Sequence, residues 1–132
     1  MLVKLCVHSV NIGFTINNMR FIYFQDFHIK SSNPINRIGD FQNDLLDKFK
    51  EILEMSKTYG CDFILSGGDF FDIPNVGNIL CDKILDLIEE TGIPIYGIFG
   101  NHDQTCHSTE LSEASTLYHC FKRSELFSHL KK

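Results

Sequence analysis

Three short polar strings carry the residues of this chain that suit metal chemistry. They are Asp26-Phe27-His28, Gly68-Asp69-Phe70-Phe71-Asp72 and Gly100-Asn101-His102-Asp103. Each follows an apolar run typical of a buried β-strand, so each is predicted to lie where a strand ends. In open α/β sheets ligands bind at that edge, and we expect the three strings to meet there. Their Asp, His and Asn side chains are ligands for hard or borderline divalent ions.

The residue types predict different chemical roles within such a site. Asp26 and His28 lie two residues apart at a strand end, so both side chains can face one ion. The carboxylate of Asp69 has two oxygens and can bridge two ions about 3.5–4 Å apart. Asn101 offers a neutral amide oxygen. His102, its neighbour on the same turn, is better placed to give a proton to a leaving oxygen.

Two further carboxylates accompany these residues. Asp103 is predicted to orient His102 and to hold it protonated. Asp72 has two interpretations, as a partner that orients a metal ligand or as a cap of the loop before Pro74. Taken singly, each of these residues has a more ordinary explanation as a turn former or a surface residue. The signal lies in the three strings together, in this order.

The spacing D-x-H, then G-D-x-x-D, then G-N-H-D resembles the calcineurin-like metallophosphoesterase family. Within that family the chain is most similar to the nuclease subunit of SbcD-type DNA repair exonucleases, over about residues 19–122. The segments Asn33–Arg37, Cys61–Asp72 and Pro94–Asp103 carry this narrower similarity. A phosphoesterase that acts on nucleotides or phosphoproteins is the alternative within the family.

The resemblance implies roles for individual residues. Asp26, His28, Asp69 and Asn101 are then metal ligands, and His102 is the catalytic histidine. It also implies two divalent ions, usually Mn²⁺, a DNA phosphodiester substrate and an SMC-like ATPase partner of the SbcC type.

The chain departs from the family pattern downstream. Relatives complete the site with a further His and a G-H-x-H motif, and no Gly-His dipeptide follows Asp103. The resemblance therefore implies the N-terminal half of a nuclease, whether as a split gene product, a truncated reading frame or a deliberately shortened chain. Whether the chain is an enzyme stays open, because a non-catalytic remnant that binds metal weakly, or a subunit completed by another polypeptide, fits the same residues. A smaller departure is Gln25, where relatives often carry Ser or Thr and where little consequence is expected.

The elements around the strings predict an α/β fold. Strands at Phe21–Phe24, Phe63–Leu65 and Ile93–Phe99 alternate with helices, a β-α-β-α-β order that favours parallel strands. By resemblance this is half of a four-layer αββα sandwich. One sheet face would then lack its cover, which predicts aggregation or self-association.

Helix boundaries follow from capping residues. Apolar residues recur at three- and four-residue steps after Asp40, the expected N-cap, and Gly60 is the expected stop. Asn75 is the expected cap of a second helix that ends at Gly92. Its expected apolar face consists of Ile79, Leu80, Ile84, Leu87 and Ile88. A third helix is expected over residues 110–122.

The chain divides into three predicted parts: an extension at residues 1–18, the half-domain at 19–123 and a tail at 124–132. Within the extension, Leu2–Val7 is either an added edge strand or sequence upstream of the natural start, and the pattern favours the second.

Composition and net charge bear on the protein's binding surfaces and on its compartment. The 132 residues carry a formal net charge of −5, which gives no support for a broad basic surface that grips DNA. Five cysteines without a C-x-x-C pair indicate reduced thiols in a cytoplasmic protein. No stretch has the length and apolarity of a membrane span, and the first residues do not resemble a signal peptide.

Overall fold

One five-stranded sheet organises the chain in the computed structural model, which describes residues 2–12, 15–36, 38–104 and 112–130. The strands are β1 (Leu2–Ile12), β2 (Thr15–Gln25), β3 (Phe63–Ser66), β4 (Ile95–Gly97) and β5 (Phe127–His129). The helices are α1 (Phe41–Thr58), α2 (Asn78–Thr91) and α3 (Thr116–Arg123). The strands lie in chain order; β1 is antiparallel to β2, and β2 to β5 run parallel. The predicted α/β class is confirmed.

The core lies on one face of this sheet. Alternate strand residues point under the helices and are buried: Ile22, Phe24, Ile64, Ile95 and Phe127. The ring of Phe24 contacts that of Phe49 in α1 with centroids 6.3 Å apart, and Phe127 contacts Phe121 in α3 at 4.8 Å. The helices therefore form a single layer on this face.

The opposite sheet face carries apolar side chains that remain partly accessible. We call this the open face; its residues are Phe21, Tyr23, Phe63, Leu65 and Tyr96. The rings of Phe21 and Phe63 stack at 5.1 Å, and Tyr96 is 37% exposed. One sheet and one helix layer make two layers, half of the four-layer arrangement that the resemblance implied.

Helix α1 forms as its sequence predicts. Asp40 is the N-cap, and its carboxylate accepts the backbone N–H of Asn43 at 3.1 Å. The buried stripe contains Leu46, Phe49, Ile52, Leu53 and Ser56. Gly60 follows the last turn with a φ of 60°, a left-handed conformation that glycine adopts easily.

Helix α2 begins later than predicted. Its N-cap is Gly77, while the Asn75 side chain accepts the Gly77 N–H at 3.2 Å and so shapes the preceding turn. Ile79 is 77% exposed instead of buried, and the buried stripe of α2 consists of Leu80, Cys81, Ile84, Leu85 and Ile88. The predicted end at Gly92 is correct.

Two strands extend the sheet beyond the predicted β-α-β-α-β core. Leu2–Ile12 pairs with β2 as an edge strand, the alternative that the sequence pattern favoured less. Phe127–His129 adds a parallel strand next to β4 from the tail, where the sequence carried no clear signal. The third helix starts at Thr116 with Ser115 as its N-cap, and residues 110–111 of its predicted range lie outside the described residues. Within the described ranges, no helix is long and apolar enough to cross a membrane.

Candidate metal centre

The first two polar strings leave β2 and β3 side by side and remain paired beyond the strands. The Asp26 N–H donates to the Gly68 carbonyl at 3.2 Å, and the His28 N–H donates to the Asp69 carbonyl at 3.0 Å. These bonds continue the parallel register of the two strands. They place the Asp26, His28 and Asp69 side chains at the carboxyl edge of the sheet, where the sequence predicted them.

The backbone of these three residues is strained. Asp26, His28 and Asp69 have φ angles of 56°, 52° and 50°, and no other non-glycine residue among those described has a positive φ. Left-handed backbone is uncommon for residues with a Cβ and is concentrated at functional sites, where the surroundings enforce it. All three are predicted metal ligands, so the fold holds the candidate ligands in a costly but defined geometry.

Two groups of side chains have donor atoms close enough to hold an ion. One consists of Asp26, His28 and Asp69, and the other of His28, Asp72 and His102; within each group the donor atoms lie within 4.8 Å of one another. Carboxylate oxygens and imidazole nitrogens fit Mn²⁺, Fe or Zn²⁺. His28 belongs to both groups, which therefore overlap at its imidazole ring.

His28 itself has an unused ring nitrogen. Its Nδ1 is buried and has no hydrogen-bond partner among the described residues, although it lies 3.4 Å from an Asp72 carboxylate oxygen. That contact is an ion pair only if the ring is protonated. A buried polar atom without a hydrogen bond is costly, and a metal ion would satisfy it. The residues present therefore fit the divalent ion that the resemblance implies.

The loop that carries the third string contacts the loop that carries the second. The backbone N–H of His102 donates to the Asp69 carboxylate at 2.8 Å, and the Nδ1 of the His102 ring lies 2.8 Å from the Asp72 carbonyl oxygen. The His102 and His28 rings meet edge to face, with centroids 4.6 Å apart. Asn101 is exposed on the same turn. The structure therefore brings His102 into the cluster.

Asp103 lies beneath this turn and is fully buried. Its carboxylate accepts the backbone N–H groups of Phe71 at 2.9 Å, Gly100 at 3.0 Å and Phe70 at 3.1 Å. Burial raises the pKa of the Asp103 carboxyl above its ordinary value, and these three N–H groups oppose the rise. The expected pairing of Asp103 with the His102 ring is not what the structure shows, since three backbone amides compete for the same oxygens. Asp103 joins the two loops instead.

The two loops approach so closely that only glycine fits between them. A Cβ at Gly100 would lie 2.6 Å from the Asp69 carboxyl carbon, and a Cβ at Gly68 would lie 3.0 Å from the Gly100 Cα. Gly68 also has a φ of 101°, which side chains with a Cβ rarely adopt. These glycines allow the second and third strings to share one site.

Three residues around the ligands had no role in the sequence prediction: Tyr23 and Lys30 were not named, and Gln25 was named only as a departure from the family pattern. The Tyr23 hydroxyl donates to the Gln25 side-chain oxygen, and the Gln25 amide donates to Asp26 Oδ2 at 3.1 Å. Gln25, for which the sequence predicted little consequence, therefore touches a candidate ligand. Lys30 Nζ lies 3.7 Å from an Asp72 carboxylate oxygen. All three lie within three positions of the D-x-H string, which is the signal that would have found them.

Asp and His side chains gather at the carboxyl edge of the parallel strands, an arrangement suited to a divalent metal ion. The sequence pattern of the calcineurin-like phosphoesterase family matches residues 19–131. The chain belongs to that family.

The chain is also similar to individual proteins over part of its length. The chain is 33% identical over 89 residues to the DNA double-strand break repair protein Mre11 of Methanococcus maripaludis, covering 64% of this chain and 23% of that protein. The Mre11 protein of Sulfurisphaera tokodaii is 34% identical over 65 residues, 47% of this chain and 17% of its own length. The uncharacterized metallophosphoesterase YhaO of Bacillus subtilis is 29% identical over 99 residues, 67% of this chain and 24% of its own. The chain spans at most about a quarter of these relatives.

Proposed function

We propose that this chain is the metal-binding half of a phosphodiesterase that acts on DNA, of the SbcD and Mre11 type. The observation that carries the proposal is the convergence of Asp26, His28 and Asp69 at one sheet edge, with donor atoms within 4.8 Å. Two relatives are named as DNA double-strand break repair proteins, which supports DNA as the substrate class. An SMC-like ATPase of the SbcC type is the partner that this branch implies, and reduced thiols favour a cytoplasmic setting.

The metal ions would be held by Asp26, His28, Asp69 and Asn101, with Asp72 as a partner beside the His28 ring. Two divalent ions, which we propose to be Mn²⁺, would supply Lewis-acid stabilisation of the phosphoryl oxygens. The protein's part is to hold these ligands. The Gln25 amide occupies Asp26 Oδ2, which leaves Oδ1 for an ion.

His102 is proposed as the proton donor to the leaving oxygen. The Asp72 carbonyl can only accept a hydrogen bond, so the Nδ1 of His102 carries a hydrogen. The Nε2 atom is left for the substrate, and it carries a second hydrogen when the ring is protonated. Asp103 acts on this step indirectly, because its carboxylate fixes the loop that holds His102.

A second candidate is a non-catalytic or incomplete subunit whose site another polypeptide completes. The open face favours it, because an apolar sheet face of this kind is normally covered. Hydrolysis of nucleotides or phosphoproteins remains an alternative substrate class for the completed site.

Metal binding tests the proposal directly. Titration of the chain with Mn²⁺, followed by electron paramagnetic resonance of the free ion, is expected to show saturable binding. Asp69→Asn removes the charge of a central ligand and should weaken binding at least about tenfold. Asp86→Asn is the matched control, since Asp86 is an exposed carboxylate on α2. Absence of saturable binding by the unmodified chain, or equal affinity of the two variants, would contradict the proposed site.

A further inference from the structure

Two cysteine thiols lie against each other between α2 and α3, outside the candidate metal centre. The Sγ atoms of Cys81 and Cys120 are 2.8 Å apart. Both residues are free cysteines; Cys81 is 1% exposed and Cys120 is fully buried. The proposed hydrolysis uses neither of them. A buried cysteine usually acts as a small apolar residue, but two sulfurs in contact also form a dithiol.

The charged groups next to the pair, and the contact between the two thiols, give the two sulfurs different pKa values. Arg123 Nη1 lies 3.8 Å from the Cys81 sulfur, and Arg123 Nη2 pairs with an Asp82 carboxylate oxygen at 2.7 Å, which fixes the guanidinium there. The hydrogen bond from Cys120 lowers the pKa of Cys81, and Arg123 contributes to the lowering. The same hydrogen bond, together with burial, raises the pKa of Cys120. Cys81 is therefore the nucleophilic sulfur of the pair.

A small molecule has room next to Cys81. A surface cleft of about 390 Å³ is lined by Cys81, Thr116, His119 and Arg123, among others. The cleft is large enough for a peroxide, which is little bigger than water. Cys120 lines no part of this cleft. The geometry thus provides one attacking cysteine that lines the cleft and one resolving cysteine in contact with it.

We propose that Cys81 and Cys120 form a modification site, a dithiol that a small hydroperoxide oxidises to a disulfide within the chain. The Cys81 thiolate attacks one peroxide oxygen; the O–O bond breaks, giving a Cys81 sulfenic acid and hydroxide, which takes up a proton to become water. The Cys120 sulfur then attacks the Cys81 sulfur, the S–O bond breaks, and a second water leaves with the Cys120 proton. The two thiols lose two electrons and two protons, and hydrogen peroxide is reduced to two waters.

The bond needs only a small movement. A disulfide has a sulfur–sulfur length of about 2.05 Å, so the sulfurs must approach by about 0.8 Å. The bond would join α2 to α3 covalently. The N–H of Thr116, at the start of α3, already donates to the Pro74 carbonyl at 2.7 Å, and the Thr116 hydroxyl accepts the Val76 N–H at 3.1 Å. Oxidation would therefore brace the segment that connects the Asp72 loop to α2.

Peptide mapping of the oxidised chain tests the proposal. The reduced full chain is treated with hydrogen peroxide at low protein concentration, free thiols are blocked with N-ethylmaleimide, and digested peptides are analysed by mass spectrometry. We expect a Cys81–Cys120 cross-linked peptide as the main product, lost on addition of a reductant. Cys61, a part-exposed cysteine, serves as the internal control and should remain alkylated. The same treatment in denaturant should scramble the pairs among the five cysteines.

A stability measurement adds a second readout. The midpoint of thermal unfolding should rise by several degrees on oxidation and return on reduction, because a cross-link restricts the unfolded chain. Cys61→Ser should keep this rise, and Cys120→Ser should lose it. Should Cys120→Ser fail to fold, the peptide map of the unmodified chain decides alone. Three results would overturn the proposal. They are equal alkylation of Cys81 and Cys120 after peroxide, oxidation of Cys81 to sulfinic acid without a disulfide, and disulfide pairs as scrambled as those formed in denaturant.

Discussion

The Asp103 carboxylate accepts the backbone N–H of Phe71 at 2.9 Å, across more than thirty residues of sequence. The same carboxylate binds the N–H groups of Phe70 and Gly100. One buried anion therefore ties the loop of Asp69 to the loop of His102. The geometry of both candidate functional residues depends on this contact.

Replacing Asp103 with Asn should destabilise the fold by about 2–4 kcal/mol. The side-chain NH₂ group would face backbone N–H donors, leaving at least one of three donors, two of them buried, without an acceptor. Urea denaturation followed by circular dichroism measures the loss. Asp86→Asn on the exposed side of α2 is the control and should stay within about 0.5 kcal/mol of the unmodified chain. An equally small effect at Asp103 would mean that the loops are held together by other contacts.

Replacing Gln25 with Leu should weaken Mn²⁺ binding by about tenfold. Leu cannot donate to Asp26 Oδ2, so the carboxylate is free to rotate away from the ion. Isothermal titration calorimetry measures the affinity. Gln42→Leu is the matched control, since Gln42 lies on α1 and its contact is a long one to Lys83 at 3.5 Å. The prediction fails if both leucine variants bind Mn²⁺ alike.

Tyr23 should matter to the same site through Gln25. Tyr23→Phe removes the hydroxyl that donates to the Gln25 side-chain oxygen, and a smaller loss of Mn²⁺ affinity, about two- to fivefold, is expected. Tyr96→Phe tests a second tyrosine of the open face and should leave the affinity unchanged. Equal effects of the two variants would assign the loss to the sheet face as a whole.

The polypeptide 1–132 on its own should not hydrolyse a simple phosphodiester with Mn²⁺. The sequence supplies Asp26, His28, Asp69 and Asn101 but no G-H-x-H motif after Asp103, so a clamp of two ions on both the attacking and leaving oxygens lacks ligands. Release of nitrophenol from bis(p-nitrophenyl) phosphate is the assay. Robust turnover that disappears in Asp69→Asn would show that other residues, or a second copy, complete the site.

The open face should drive self-association of this polypeptide. Phe63 lies at its centre, with ring contacts to Phe21 at 5.1 Å and Tyr96 at 5.9 Å. Phe63→Lys should reduce both the mass measured by light scattering and the binding of a dye for apolar surfaces. Ile79→Lys on α2 is the control, because Ile79 is 77% exposed on the helix side. A monomer that does not bind the dye, with or without Phe63→Lys, would show that this face needs no cover.

The local sequence pattern was sufficient to predict those elements whose residues interact with near neighbours in the chain. The periodic apolar residues, the Asp40 cap and the Gly60 stop predicted α1, because helix bonds and caps join residues three or four positions apart. The strand ends carrying Asp26, Asp69 and His102 were predictable for a similar reason. Parallel strands align their carboxyl ends, so residues that follow them in sequence meet in space.

Contacts between segments distant in the chain decided the features that the sequence did not predict. The sequence alone suggested that Asp103 serves the neighbouring His102, but burial and three backbone donors from other loops direct its carboxylate elsewhere. The short strand Phe127–His129 is stabilised by its pairing with β4, and its own residues carry little strand signal. The approach of Cys81 and Cys120 depends on how α2 packs against α3, since 39 positions separate them in the chain. The sequence by itself determined which side chains reach the sheet edge. Tertiary packing decided which partners they meet there, because a buried acceptor bonds to the donors that lie nearest in space, whatever their position in the chain.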